Sequence, residues 1–244
     1  RRARTVQLTT SDGRQFKGEL GVNAYARIAE NLEEPYADAT GRLAELLTPG
    51  QLVYAHGMFY PVANGEAKFE IKWLVFPGAG AGEYRHEEQD WWIHQVDQIA
   101  SSYMKWQFDW QKAGDDINWR DYRTFLHLAG GKKGDFLQET DTISRLIYGF
   151  ASAFLMTGKD QYLEAAERGV VYLREHMRFY DADEDLIYWY HGIQVNGDQE
   201  QKLLTSEFGD DYDSIPAYEQ IYALAGPIQC YRASGDPRIL HDAE

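Results

Sequence analysis

Two stretches of this chain repeat one another at a fixed distance. "FLMTGKDQYL" (154–163) and "CYRASGDPRIL" (230–240) share an aromatic residue, a Thr-Gly or Ser-Gly step, an Asp or Pro, and a leucine. Phe154 aligns with Tyr231 and Gly158 with Gly235, an offset of 77 residues. Such a repeat predicts a fold built from similar helix pairs, each stopped by its glycine and restarted near Asp160 or Asp236. The helix before the first stop, "SRLIYGFASAF" (144–154), carries one arginine and no other charge. On a wheel of ~100° per residue, Ile143, Leu146, Ile147, Phe150, Ala151 and Phe154 form an apolar stripe. Arg145 lies opposite, beside Asp141, Tyr148, Gly149, Ser152 and Met156. The next helix is different in kind. There Leu163, Ala166, Val170, Leu173 and Met177 face in, while Glu164, Glu167, Arg168, Arg174, Glu175 and Arg178 face water.

A helix covered on both faces followed by one covered on a single face predicts inner and outer helices of a concentric helical barrel. The offset of 77 places Tyr222 at the position of Arg145, Tyr218 at that of Asp141 and Gln229 at that of Ser152. The apolar stripe transfers to Ala223, Leu224, Pro227, Ile228 and Tyr231. The face bearing Arg145, Tyr148, Ser152, Tyr218, Tyr222 and Gln229 is therefore expected to line a central cavity.

Residues 1–82 read differently. "RTVQLTTSDGRQFKGEL" alternates apolar and polar residues around an Asp12-Gly13 turn, and two more strands flank Asn64-Gly65. Between them, "AYARIAENLEEPYADATGRLAELL" has room for one or two short helices. The expectation is a small β-rich, OB-like domain over 1–82. The Pro/Gly/Ala-rich segment 77–83 forms the boundary, and the helical domain covers 83–244. Charge divides the same way. Residues 1–82 hold nine basic and nine acidic residues, whereas 83–244 hold fifteen and thirty. So acidic a domain repels phosphate backbones, which argues against a nucleic-acid partner. No run of ~18 apolar residues exists to span a membrane. The single cysteine, Cys230, excludes an internal disulfide framework and fits a reducing compartment. The chain opens at Arg1 rather than Met. The expected location is thus the cytoplasm, or a plastid or other reducing compartment reached after N-terminal processing.

"SRLIYGFASAF" together with "IYALAGPIQCYRASGDPRIL" (221–240) resembles the N-acylglucosamine 2-epimerase and cellobiose 2-epimerase superfamily. The likeness covers roughly residues 90–240 and rests on an arginine leading an apolar-aromatic helix and on Tyr222-Ala223 leading to Tyr231-Arg232-Ala233-Ser234-Gly235-Asp236. An aromatic insert between them, Tyr188-Trp189-Tyr190, fits as well. The segment "QETDTI" before Arg145 and "GGKKGDF" upstream depart from the family pattern. The resemblance implies a mostly α chain, the first part of an (α/α)6 barrel preceded by the β-rich domain. It implies a small-molecule sugar as ligand and proton abstraction at C2 of a reducing sugar, without metal or redox cofactor. That chemistry needs a base and a positive donor for the developing enediolate oxygen. By resemblance Arg145 is the catalytic donor, Tyr222 orients the sugar ring, and Trp189 or Tyr190 stacks on it. Tyr148, Tyr218 and His191 are the remaining candidate contacts.

The family's bases are histidines from later in the barrel, and none of the seven histidines here matches one by motif. His127 and His191 could reach the cavity mouth. Arg145 also has a purely structural reading, an ion pair with Asp141 one turn away. Two other functions stay open. One is a non-catalytic scaffold with a protein partner at the β-rich domain or the open half-barrel. The other is an (α/α)6 glycosidase or lyase using paired carboxylates, for which Asp141 and Glu219 are the candidates.

Overall fold

The structure, a computed structural model, describes residues 5–31, 34–61, 68–134, 136–206 and 209–243. It divides into two compact units, Arg1–Trp92 and Ile93–Glu244.

In the first unit β1 (Thr5–Thr9) pairs antiparallel with β2 (Gln15–Ile28), which runs parallel to β4 (Lys68–Phe76). β3 (Tyr54–Tyr60) closes the order β1-β2-β4-β3 by pairing antiparallel with β4. The helical reading of residues 24–47 holds for a short part only. β2 continues to Ile28, because Tyr25 stacks on Trp73 across the strand pair and Ala26 and Ile28 turn to the core. Helix is confined to a 3₁₀ turn, Thr40–Arg42, and α1 (Leu43–Leu46). Among the described residues β1 and β3 do not pair with each other, so the sheet is open where an OB-like barrel would close. The Asn64-Gly65 hairpin lies outside the described residues. The glycine-rich segment 77–83 is tied back to its own unit. Gly82 N donates to Gln51 Oε1 at 2.8 Å, and Arg42 Nη2 to Ala79 O at 2.8 Å.

The second unit is helical. α2 (Trp91–Phe108) belongs to it from Ile93 onward. A short strand β5 (Leu137–Glu139) leads straight into α3 (Thr140–Thr157), followed by α4 (Asp160–Tyr172) and one π turn, Leu173–Met177. Two β-hairpins come next, β6 (Arg178–Asp181) with β7 (Leu186–Trp189), and β8 (Gly192–Asn196) with β9 (Gln199–Leu203). α5 (Ala217–Ser234) and α6 (Pro237–His241) complete it. The repeat is visible in the caps. Gly158 and Gly235 both sit at φ 69°, and each donates its N–H to the carbonyl four residues earlier, Phe154 and Tyr231, at 2.7 Å. A side chain at that φ costs about 1–2 kcal/mol, which explains the glycines.

α3 is the centre of this unit. Ile143, Ile147 and Phe150 are fully buried with Met104 and Phe108 of α2, Tyr162 and Val170 of α4, and Ala223 and Cys230 of α5. α4 approaches closely because Gly169 has no side chain; a Cβ there would lie 2.6 Å from Ile147 and from Trp119. α5 approaches through a sharper device. Pro227 lacks an N–H, so the helix cannot satisfy the Ala223 carbonyl. Ser144 of α3 fills the gap. Its hydroxyl donates to Tyr222 O at 2.6 Å and Ala223 O at 3.1 Å, and accepts from Gly226 N at 2.8 Å. The Arg145 face, expected to line a central cavity, is open. Arg145 is 53% exposed at its side chain, and Tyr148, Tyr218 and Tyr222 are also exposed. Among the described residues no helix is long and apolar enough to cross a membrane.

Candidate functional site

α3 and α5 pack side by side in the same direction, so their N-terminal ends meet. Each carries an acid in its first turn, Asp141 and Glu219, and the residue before α3 is Glu139. The positive ends of the two helix dipoles favour carboxylates there. The segment between β7 and β8 is stitched across the two ends. Thr140 donates its N–H to His191 O at 2.9 Å and its hydroxyl to Tyr190 O at 2.6 Å. Gln220 does the same from α5, accepting Trp189 N at 2.8 Å and donating to Trp189 O at 3.0 Å. Gly192 then lets β8 run against β5, where a Cβ would lie 2.5 Å from Gln138 O.

This placement drops His191 among the acids. Its Nδ1 donates to Glu219 Oε1 at 2.8 Å, and its Nε2 lies 3.8 Å from Glu139 Oε1. His191 and Glu219 are each 3% exposed, and the second carboxylate oxygen of Glu219 has no hydrogen-bond partner among the described residues. The hydrogen bond to Glu219 raises the His191 pKa above its ordinary value against an opposing effect of burial. Burial, then the neighbouring Asp141, pushes the Glu139 carboxyl up to about 7. Asp141 is raised too, by burial first, while Arg145 pulls it back down. Three carboxyls and one imidazole thus share a small volume, and the Glu139 carboxyl changes protonation near neutrality.

Arg145 forms the open edge of the cluster. Nη2 pairs with Asp141 Oδ2 at 2.9 Å, so the structural reading of the arginine holds. The guanidinium also lies over the Tyr222 ring, 4.4 Å from its centroid, and Tyr218 packs edge-on to Tyr222. On the other side, Arg145 and Thr142 line a cleft of about 660 Å³ between α2, α3 and the 122–126 loop, walled by Ile99, Tyr103 and Phe125. Thr124 connects cleft and cluster, its hydroxyl accepting Glu139 N at 2.9 Å and facing Thr142 Oγ1 at 3.3 Å.

Of the residues singled out from sequence, the structure brings together Arg145, Tyr222, Tyr218 and His191, with Asp141 and Glu219. Tyr148 lies on the exposed side of α3. Trp189 departs from its expected place as a stacking platform. It is 3% exposed and belongs to the core, held there by the Gln220 clamp on its backbone. Tyr190 packs edge-on against Phe179 and Tyr188, with the Lys202 ammonium 5.6 Å over its ring. Glu139 was not singled out. A glutamate just ahead of a helix looks solvated in sequence, and only the β5–β8 pairing places it under His191. Among the described residues no group of three or more His, Cys, Asp or Glu is arranged to hold a metal ion. Cys230 is buried, with its thiol pushed up to about 12 by that burial.

No family model and no curated protein sequence matches this chain. Among solved structures it is similar to a cellobiose 2-epimerase from Spirochaeta thermophila DSM 6192, at 11% identity and a TM-score of 0.49 over 64% of this chain and 36% of that one. It is also similar to a glycoside hydrolase family 76 mannosidase from Bacteroides thetaiotaomicron VPI-5482, at 14% identity and a TM-score of 0.41 over 64% of this chain and 37% of that one. The chain spans little more than a third of the length of either. At these values neither likeness fixes an activity for it.

Proposed function

We propose that the helical unit is part of a sugar-processing domain that moves a proton at the carbon beside a sugar carbonyl, as a 2-epimerase or isomerase does. One observation carries the reading: His191, Glu139, Asp141 and Glu219 converge beneath an exposed Arg145 that is seated on Tyr222. In this reading Arg145 donates to the carbonyl oxygen as negative charge develops, a role suited to a permanently charged planar fork. Tyr222 and Tyr218 orient the ring. Glu139, whose carboxyl is pushed up to about 7, and His191, raised by its bond to Glu219, take and return the proton, and Glu219 holds the imidazole.

The test is solvent exchange at C2 in D₂O, followed by proton NMR, with glucose, mannose, N-acetylglucosamine and cellobiose as probes. Loss of the C2 proton signal, abolished in Arg145→Ala and His191→Gln, is the expected result. Absence of both exchange and binding for all four sugars overturns it. A second reading, a non-catalytic scaffold, is favoured by the exposed row Tyr218, Ile221, Tyr222 and Ile228 on α5 beside Tyr148 of α3. Sugar binding without exchange, unaffected by Arg145→Ala, would move the weight to that reading.

A further inference from the structure

The outer face of the β8–β9 hairpin has an unusual makeup for so acidic a unit. Antiparallel pairing sets Gln194 opposite Gln201 and Asn196 opposite Gln199. Alternation along a strand puts these four carboxamides on one face. All four are exposed, and they border a cavity of about 480 Å³ that also meets the exposed ring of Phe136 and, at its edge, Glu200. No hydrogen bond from any of these four side chains to the protein is found among the described residues, and the four carry no charge. The opposite face of the same hairpin is the reverse. There Glu200 is bound by Arg120 Nη1 at 2.5 Å and His176 Nδ1 at 2.8 Å, and Lys202 pairs with Glu200 at 3.3 Å. Arg120 also grips the hairpin turn, donating to Gly197 O from Nε at 3.1 Å and Nη2 at 2.6 Å. The charges therefore fix the hairpin backbone from behind while the amide side chains face outward.

Each carboxamide offers one acceptor and two donors, a set that matches a neighbouring pair of hydroxyls on a neutral polyol. An aromatic ring beside them suits the C–H face of the same ligand, whereas the charged residue of the lining, Glu200, is already paired with Arg120, His176 and Lys202 and the amides offer an ion no countercharge. We infer that Gln194, Gln201, Asn196, Gln199 and Phe136 form a binding surface for an uncharged oligosaccharide, separate from the Arg145 cluster. It stands independently of the proposed reaction.

The experiment is a titration of the full chain with cellohexaose, mannohexaose and laminarihexaose, read by the side-chain amide signals in ¹⁵N-correlated NMR. At least one probe should shift the Gln194 and Gln201 amides. Phe136→Ala and the double variant Gln194→Ala/Gln201→Ala should each weaken binding by about tenfold, while Phe136→Trp retains it. Unchanged circular dichroism shows that the variants are folded. Arg145→Ala should leave these shifts alone. The inference is overturned if no probe moves the hairpin amides, if the hairpin variants bind as well as the parent, or if Arg145→Ala abolishes the shifts. In that last case the sugar sits at the Arg145 cluster instead.

Discussion

Replacing Glu139 by glutamine should stabilise the helical unit above neutral pH and leave it unchanged in mild acid. The Glu139 carboxyl is nine-tenths buried and has its pKa raised from 4.5 to about 7. The folded protein therefore holds a proton that the unfolded chain releases, so stability is highest below the unfolded pKa and falls as pH rises through the folded one. One pKa unit corresponds to about 1.4 kcal/mol, so the full shift amounts to about 3 kcal/mol lost by pH 8. Glutamine keeps the shape and cannot ionise, so its variant escapes this loss. His191 keeps Glu219 as partner in the variant, and that hydrogen bond is the largest cause of its own raised pKa. Urea unfolding followed by helical circular dichroism, repeated between about pH 4.5 and 8, measures the difference. The two proteins should coincide at the acid end and diverge by about 2–3 kcal/mol at pH 8, with the variant the more stable. Parallel curves, or a variant weaker at pH 8, would refute the argument. Glu139 would then be ionised at neutral pH and held by a protonated His191.

Arg145→Ala should change stability by less than about 1 kcal/mol, because its pair with Asp141 is half exposed, yet raise the Asp141 pKa further; carboxyl-selective NMR titration reads the second effect. Gly226→Ala should cost about 1–3 kcal/mol in thermal or urea unfolding, since the added Cβ would lie 2.6 Å from Ser144 O. Gly158→Ala and Gly235→Ala should each cost about 1–2 kcal/mol and by similar amounts, both glycines being at φ 69°; a large inequality would mean the two helix stops are not equivalent.

The helical repeat was legible because its signals are local. A glycine forced to positive φ, an Asp or Pro after it and an apolar stripe before it all act within one turn of chain. The offset of 77 could be carried across to contacts because α3 and α5 lie in matching register: Gln229 donates to Ser152 at 3.0 Å, and Arg145 lies over Tyr222. The covering of the Arg145 face was not legible. A helix side with one arginine and one aspartate among neutral residues differs from an ordinary water-facing side, without saying what lies opposite it. The acid cluster was hidden for another reason. Glu139, His191 and Glu219 are separated by 52 and 28 residues, and no spacing rule links them. Only the pairing of Gly192 with Glu139 and the clamps from Thr140 and Gln220 bring them together. In the first unit, Tyr25 and Ala26 were readable as helix from composition. Their strand neighbours Trp73 and Leu74 decide otherwise.

Pro227 has one more implication. A helix with a broken bonding ladder is a poor folding unit alone, and α5 recovers a donor from the Ser144 hydroxyl of α3. α5 is thereby made conditional on α3. In an isolated peptide of residues 217–234 the Ala223 carbonyl would be left to water, whereas docked on α3, where water is excluded, it is met by the Ser144 hydroxyl. In the folded protein α3 is thus the surface on which the α5 backbone is completed. Amide exchange should accordingly be slower in α3 than in α5, and the amides around Gly226 should open whenever α3 does.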